Sequence, residues 1–234
     1  MPTDPRAEQI SRNLHTFEER LVTACRDVGR SRDDVTIVAV TKTFPADDVR
    51  RLVSLGLRDI GENRDQEATE KAAAVTDLDI RWHFIGRLQA NKCRSVAHYA
   101  DAVHSVDRHR LVHAMSAAAS DAQRTIDVFV QMSLDDDPHR GGAAMAEVRT
   151  IADHVTAAPG LRLVGVMAVA PLGADAATAF ARLAQVAAAV RAEHPGAMSI
   201  SAGMSGDLEA AVANGATHVR IGTALLGGRA PAVR

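Results

Sequence analysis

Lys42 directly follows the apolar run Thr36-Ile-Val-Ala-Val-Thr41, so its stem is expected to pack among apolar neighbours while its amine points out of a strand end. Desolvation there lowers an amine's pKa and exposes the neutral form that Schiff-base formation with a carbonyl compound requires. The competing reading is a solvated lysine that happens to follow a strand, the commoner fate of lysines. Near the other end of the chain, Ser201-Ala202-Gly203-Met204-Ser205-Gly206 and Arg220-Ile221-Gly222-Thr223 each precede helix-forming sequence. Glycines let backbone approach an anion closely, and hydroxyls with helix-start N–H groups donate to it, so the two segments together read as a phosphate site. Taken singly, each glycine reads as a helix entry or a tight turn. Arg220 alternates with Val219 and Ile221, which places it on one face with Gly222. An inward guanidinium there would donate to the pyridine nitrogen of a cofactor and, being permanently protonated, would discourage protonation of that nitrogen. The competing reading is an arginine bridged to a carboxylate at a barrel rim.

These groups need a scaffold that brings the two ends of the chain together. Short β-branched runs alternate with longer alanine-rich segments of helical pattern, the signature of parallel strands joined by crossover helices. The strand candidates are Thr36–Thr41, Arg58–Ile60, Trp82–Ile85, Ala102–Ser105, Ile126–Met132, Leu161–Met167, Met198–Ile200 and His218–Ile221. Eight such repeats predict an α/β chain closed as one (β/α)8 TIM-type barrel. A doubly wound sheet is the alternative, but no loop carries a G-x-G-x-x-G fingerprint, and closure removes unprotected edges. Ahead of the barrel, Ile10, Leu14, Phe17, Leu21, Cys25 and Val28 fall in steps of three or four and predict an extra N-terminal helix ended by Gly29. In this fold, sites gather at the carboxyl ends of strands, with phosphate after strands seven and eight. Closure sets strand one against strand eight, so Lys42 is expected beside the phosphate loops, within reach of one small phosphorylated carbonyl compound. The turn Gly61-Glu62-Asn63, Gly86, Ser105 and Ser133 occupy other strand ends.

Composition excludes several classes. The chain has 234 residues, 47% hydrophobic and 24% charged, with a formal net charge of −2 and arginines dispersed among acids. No basic stripe points to nucleic acid. No apolar run reaches the ~18 residues of a membrane span, and Met1 to Arg12 is not patterned as a signal or transit peptide, so a cytoplasmic location is expected. Cys25 and Cys93 lack CxxC spacing, which fits buried thiols and no metal. His109 and His113 are four apart, but H-R-L-V-H lacks the zinc-protease glutamate, so both read as surface groups. His83 reads as a hydrogen-bonded structural group and Trp82 as packed outside the barrel. The polar stretch Asp135–Gly142 reads as a loop, and residues 1–234 as a single domain, since twelve residues beyond Gly222 are too few for another folded unit.

The motifs Thr41-Lys42-Thr43, Gly61-Glu62-Asn63, Trp82-His83-Phe84-Ile85-Gly86, His104-Ser105-Val106-Asp107-Arg108, Gly203-Met204-Ser205 and Val219-Arg220-Ile221-Gly222-Thr223 occur in the order and spacing of one family. On these motifs, across nearly the whole chain, the sequence resembles the pyridoxal phosphate homeostasis protein family, itself similar to the fold type III barrel of alanine racemase. The resemblance implies that pyridoxal 5′-phosphate is held as a Schiff base on Lys42. It implies also that Ser201, Ser205, Gly222 and Thr223 surround the phosphate, that Arg220 faces the pyridine nitrogen and that Asn63 lines the ring. Members are thought to carry, buffer and release the cofactor, which implies apo pyridoxal-phosphate enzymes as partners, a monomer and no catalytic residues. Two departures stand out: Arg64 follows Gly61-Glu62-Asn63 where many members have tyrosine, and the segment after strand five reads Ser133-Leu-Asp-Asp-Asp-Pro-His-Arg140.

Two other readings compete. A racemase-like enzyme that depends on pyridoxal phosphate would need an acid–base group on the ring face opposite the lysine, normally a tyrosine. The sole tyrosine, Tyr99, falls in a helix pattern away from a strand end. A barrel that binds another phosphorylated metabolite without a Schiff base is the third possibility.

Overall fold

The computed structural model describes residues 4–135, 137 and 140–228. Its first element, helix α1 (Pro5–Asp27), begins with Asp4 accepting from the N–H groups of Arg6 and Ala7, and with Pro5 where no intrahelical donor is needed. Ile10, Phe17, Leu21, Ala24 and Cys25 form its buried stripe. Gly29, at φ +68°, then turns the chain out of the helix.

Eight parallel strands follow: β1 (Thr36–Val40), β2 (Asp59–Glu62), β3 (Arg81–Phe84), β4 (Ala102–Val106), β5 (Ile126–Gln131), β6 (Leu161–Met167), β7 (Ser199–Ser201) and β8 (His218–Ile221). They pair in sequence order and close, with Thr36, Ile37, Val38 and Ala39 of β1 in register with His218, Val219, Arg220 and Ile221 of β8. The expected (β/α)8 barrel is the observed fold. Between and after the strands run α2 (Ala46–Ser54), α3 (Asp65–Ala74), α4 (Cys93–Tyr99), α5 (His109–Asp121), α6 (Val148–Ala157), α7 (Ala176–Glu193), α8 (Leu208–Ala213) and α9 (Thr223–Leu226). The main core lies between the barrel wall and these helices, where Leu52, Val96, Leu111, Ile151, Phe180 and Leu225 are buried. Each such side chain contributes about 1.5–3 kcal/mol on burial.

Inside the barrel the filling differs. Ala102, Phe129 and Met167 make a small apolar cluster, and the remaining space holds His83, His104, Ser201 and Arg220, all buried. His104 stacks on Phe129 at a centroid separation of 4.1 Å.

Strand bounds differ from the sequence expectation mainly at β2, which runs through Gly61 and Glu62, residues read above as a turn. Gly61 is used for close approach: a Cβ there would lie 2.9 Å from Val38 Cγ1. Trp82 is buried outside the barrel wall in the main core. His109 and His113 are exposed. In the polar loop after β5, Asp136, Pro138 and His139 lie outside the described residues, as do 1–3 and 229–234.

Candidate functional site

The end of β1, the β7–α8 loop and the β8–α9 junction meet at the seam where the barrel closes. There Val40, Lys42, Ile85, Met204, Ser205, Gly206, Arg220, Gly222 and Thr223 line a cavity of about 250 Å³. That is slightly below the ~300–1,000 Å³ common for drug-sized ligands and suits one compact molecule. Lys42 is half-buried, whereas Thr43 beside it takes φ +69°, a left-handed conformation uncommon for a β-branched residue. Gly222 permits the closest part of the seam: a Cβ there would meet the Val40 carbonyl oxygen at 3.3 Å. Helix α9 opens at this junction with Gly222 as its N-cap and Thr223 as its first residue, where the first backbone N–H groups of a helix have no intrahelical acceptor.

Helix α1 braces the loop. Arg20 donates to the Ser205 carbonyl oxygen at 2.6 Å and forks onto both carboxylate oxygens of Glu209. Asn13 and Arg6 donate to the carbonyl oxygens of Leu225 and Leu226 at the end of α9.

Arg220 is 5% exposed, and no carboxylate hydrogen-bonds it among the described residues. Nη1 donates to Ser201 Oγ at 2.6 Å and Nη2 to the Ala168 carbonyl oxygen at 2.9 Å. Burial pushes its pKa down to about 10, so it stays protonated at neutral pH. The rim salt bridge considered for Arg220 is therefore absent, and its guanidinium opens on the same cavity as Lys42. Asp207 offsets part of the burial through its charge without a hydrogen bond, and a buried cation that no carboxylate touches is costly unless a ligand acceptor completes it.

From Arg220 a chain of hydrogen bonds crosses the barrel interior. Ser201 Oγ is 2.8 Å from His104 Nδ1, His104 Nε2 is 2.8 Å from His83 Nδ1, and His83 Nε2 is 2.8 Å from Asp59 Oδ1. One direction of donation satisfies every link: Arg220 to Ser201, Ser201 to His104, His104 to His83, His83 to ionised Asp59. Burial opposes ionisation of Asp59, but the His83 hydrogen bond holds its carboxyl below the usual range. Burial lowers His104 far below ordinary histidine and His218 to about 4.

Five of the seven expected site residues line the cavity: Lys42, Ser205, Arg220, Gly222 and Thr223. Ser201 does not. Ile200, its neighbour in β7, points into the outer core, so strand alternation turns Ser201 inward, where its hydroxyl is used by Arg220 and His104. Asn63 is half-buried outside the cavity lining, and its Oδ1 is buried without a partner among the described residues. His104, Asp59 and Ile85 were not anticipated. Alternation along β2 and β4 would have marked Asp59 and His104 as inward-facing, but nothing local signals pairing between them.

Asn63 is held by Gly86. A Cβ at Gly86 would sit 2.1 Å from the Asn63 carbonyl oxygen and 2.8 Å from its Cα, an overlap with backbone that no rotamer relieves. Gly86→Ala should therefore cost about 3 kcal/mol or more of unfolding free energy by denaturant titration. A wild-type midpoint would refute this close approach.

The opposite mouth of the barrel holds a larger cavity lined by Arg58, Asp59, Arg81, Asp127, Arg162 and His218 among others. Arg81 and Arg162 both pair with Asp127 there, which leaves its charges internally compensated.

The chain matches the family model described as alanine racemase, N-terminal domain, over residues 13–230. It is 41% identical over 243 residues to the pyridoxal phosphate homeostasis protein of Mycobacterium tuberculosis, covering 96% of this chain and 94% of that one. The solved structure of PipY from Synechococcus elongatus PCC7942, with PLP bound, is 34% identical at a TM-score of 0.82, covering 94% of this chain and all of that one. Alanine racemase from Clostridium difficile 630 shares the fold at 13% identity and a TM-score of 0.75.

Proposed function

The chain belongs to the pyridoxal phosphate homeostasis protein family, and on that premise we propose that it binds pyridoxal 5′-phosphate in the seam cavity and serves homeostasis of this cofactor. The observation that carries the reading is Arg220, a buried guanidinium that no carboxylate hydrogen-bonds among the described residues and that lines one cavity with Lys42. Bound there, the cofactor would supply an aldehyde that condenses with an amine.

Lys42 carries the covalent link in this reading. Its Nζ would be the amine that holds the aldehyde carbon of the cofactor, with the aldehyde oxygen lost as water. Ser205, Thr223 and the backbone around Gly222 and Gly206 hold the phosphate, and Arg220 donates toward the ring nitrogen. Arg220 stays protonated and is tied through Ser201 to His104, so it would offer the ring nitrogen a hydrogen bond and no proton. A ring left unprotonated withdraws electrons weakly, which suits storage over turnover. Ser201 enters this reading as the support of Arg220, and Asn63 as a flank of the ring edge.

A racemase needs an acid–base group across the ring from the lysine. Tyr99 instead stands on α4 with its hydroxyl buried, its pKa pushed up by burial and by the charges of Asp65 and Glu62 so that the phenolate is disfavoured, and it does not line the cavity. The described helices include none long and apolar enough to cross a membrane. Delivery to apo-enzymes by a cytoplasmic monomer completes the proposal.

The test is chemical trapping. Pyridoxal phosphate at one equivalent, followed by borohydride and digestion, should place the reduced pyridoxyl group on the peptide containing Lys42. A label on Lys71 or Lys92, or no label, would overturn the assignment.

A further inference from the structure

A second lysine lies directly behind Lys42. Lys71 of α3 is 6% exposed. Its ammonium has three protons and three acceptors: the Thr41 carbonyl oxygen at 2.7 Å, Glu62 Oε1 at 2.6 Å and Glu67 Oε1 at 2.7 Å. The two carboxylates hold the same short segment. Thr41 Oγ1 donates to Glu62 Oε1 at 2.6 Å, and the Thr43 N–H donates to Glu67 Oε1. The residues on both sides of Lys42 are therefore tied to one buried ammonium, through a carbonyl on one side and an N–H on the other.

The clamp has something to hold. At φ +69° Thr43 occupies a conformation that costs a β-branched residue free energy and persists only where surrounding contacts enforce it. Released from Glu67, Thr43 would relax to negative φ and swing the Lys42 Cα away from the seam.

We infer that Lys71 is a positioning residue for the Schiff-base lysine: through Glu62 and Glu67 it locks the Thr41–Thr43 turn so that the Lys42 amine meets the aldehyde of a cofactor held by the β7 and β8 loops. This rests on the assignment of Lys42 above. It differs from a purely structural role because it separates link formation from ring and phosphate binding, which belong to the far side of the cavity.

Two ligands separate these. Pyridoxal phosphate reports the link, by visible absorbance and borohydride labelling of Lys42. 4′-Deoxypyridoxine 5′-phosphate has the ring and phosphate but no aldehyde, so its affinity reports the rest of the site. Lys71→Met should weaken link formation at least tenfold while affinity for the deoxy compound stays within twofold of wild type. Adding Thr43→Gly should restore at least threefold of the loss, because glycine adopts positive φ without enforcement. Where Lys71→Met does not fold, Glu67→Ala removes the tie on Thr43 and leaves the Lys71–Glu62 pair, and the same split with rescue by Thr43→Gly is expected. Link formation unchanged in these variants, a parallel loss of both ligands, or no rescue by Thr43→Gly overturns the inference. Wild-type protein that forms no link on Lys42 removes the Schiff-base reading itself, an outcome visible before any variant is made.

Discussion

Lys42→Ala is expected to yield a colourless protein that loses pyridoxal phosphate on desalting and gives no borohydride-fixed label. On the proposed reading the link is covalent, so its removal would leave only phosphate and ring contacts to retain the ligand. The proposal assigns those contacts to Ser205, Arg220, Gly222 and Thr223, which line the same cavity and are untouched by the change. Binding should therefore weaken by a factor of about 100 or more, near 3 kcal/mol, without vanishing. No other amine is placed to substitute. Lys71 lies near Lys42 in the fold but is buried, with its three protons engaged by Thr41, Glu62 and Glu67. Lys92, the remaining lysine, pairs with Asp65 at 3.5 Å. Absorbance during titration and equilibrium dialysis measure the two effects, and a full visible band in the variant would sink the assignment.

The barrel should also be sharply acid-labile above pH 4.5. Burial keeps His104 and His218 neutral in the fold, the latter with its pKa pushed down to about 4. Unfolded histidine takes up a proton near 6.5, so between these values the unfolded chain binds more protons and stability rises with pH. Conversely, stability is lost as pH falls below about 6.5, by about 1.4 kcal/mol per unit for each such histidine. From pH 7 to pH 5 His218 alone should cost about 2 kcal/mol, with His104 adding in the same direction, against the 5–15 kcal/mol typical of whole domains. Asp59, held low by His83, adds its loss only at still lower pH. Urea titrations of the cofactor-free protein at pH 7 and pH 5 measure the difference. Equal midpoints would show that these histidines are not buried neutral.

The sequence made the scaffold legible where strands are β-branched and buried. Leu161–Met167 and His218–Ile221 are observed with the bounds expected, and Thr36–Val40 falls one residue short of expectation. Gly61 misled because glycine is a turn signal by default, while here it serves contact with Val38 in a barrel interior. Lys42, Ser205, Arg220, Gly222 and Thr223 were readable because closure of an eight-stranded barrel dictates which strand ends meet. Ser201 lies off the cavity lining because, as the last residue of β7, it still obeys strand alternation and does not move with its loop. Lys71 was hidden for a different reason. Helix α3 has no clear apolar stripe, so nothing local marks its inner face, and the residue is buried by contacts reaching across 30 positions of sequence.

Helix α1 carries a consequence for handling the protein. Arg6, Asn13 and Arg20 reach from one helix to α9 and to the loop ending at Gly206, so the amino-terminal segment works as an external splint across the last two βα units. A deletion chosen to trim an apparently peripheral extension would leave the barrel strands intact and loosen the part that grips the ligand. An affinity handle or fluorescent label on this chain is therefore better placed on the far rim of the barrel or on the exposed face of α5 than anywhere that unwinds α1.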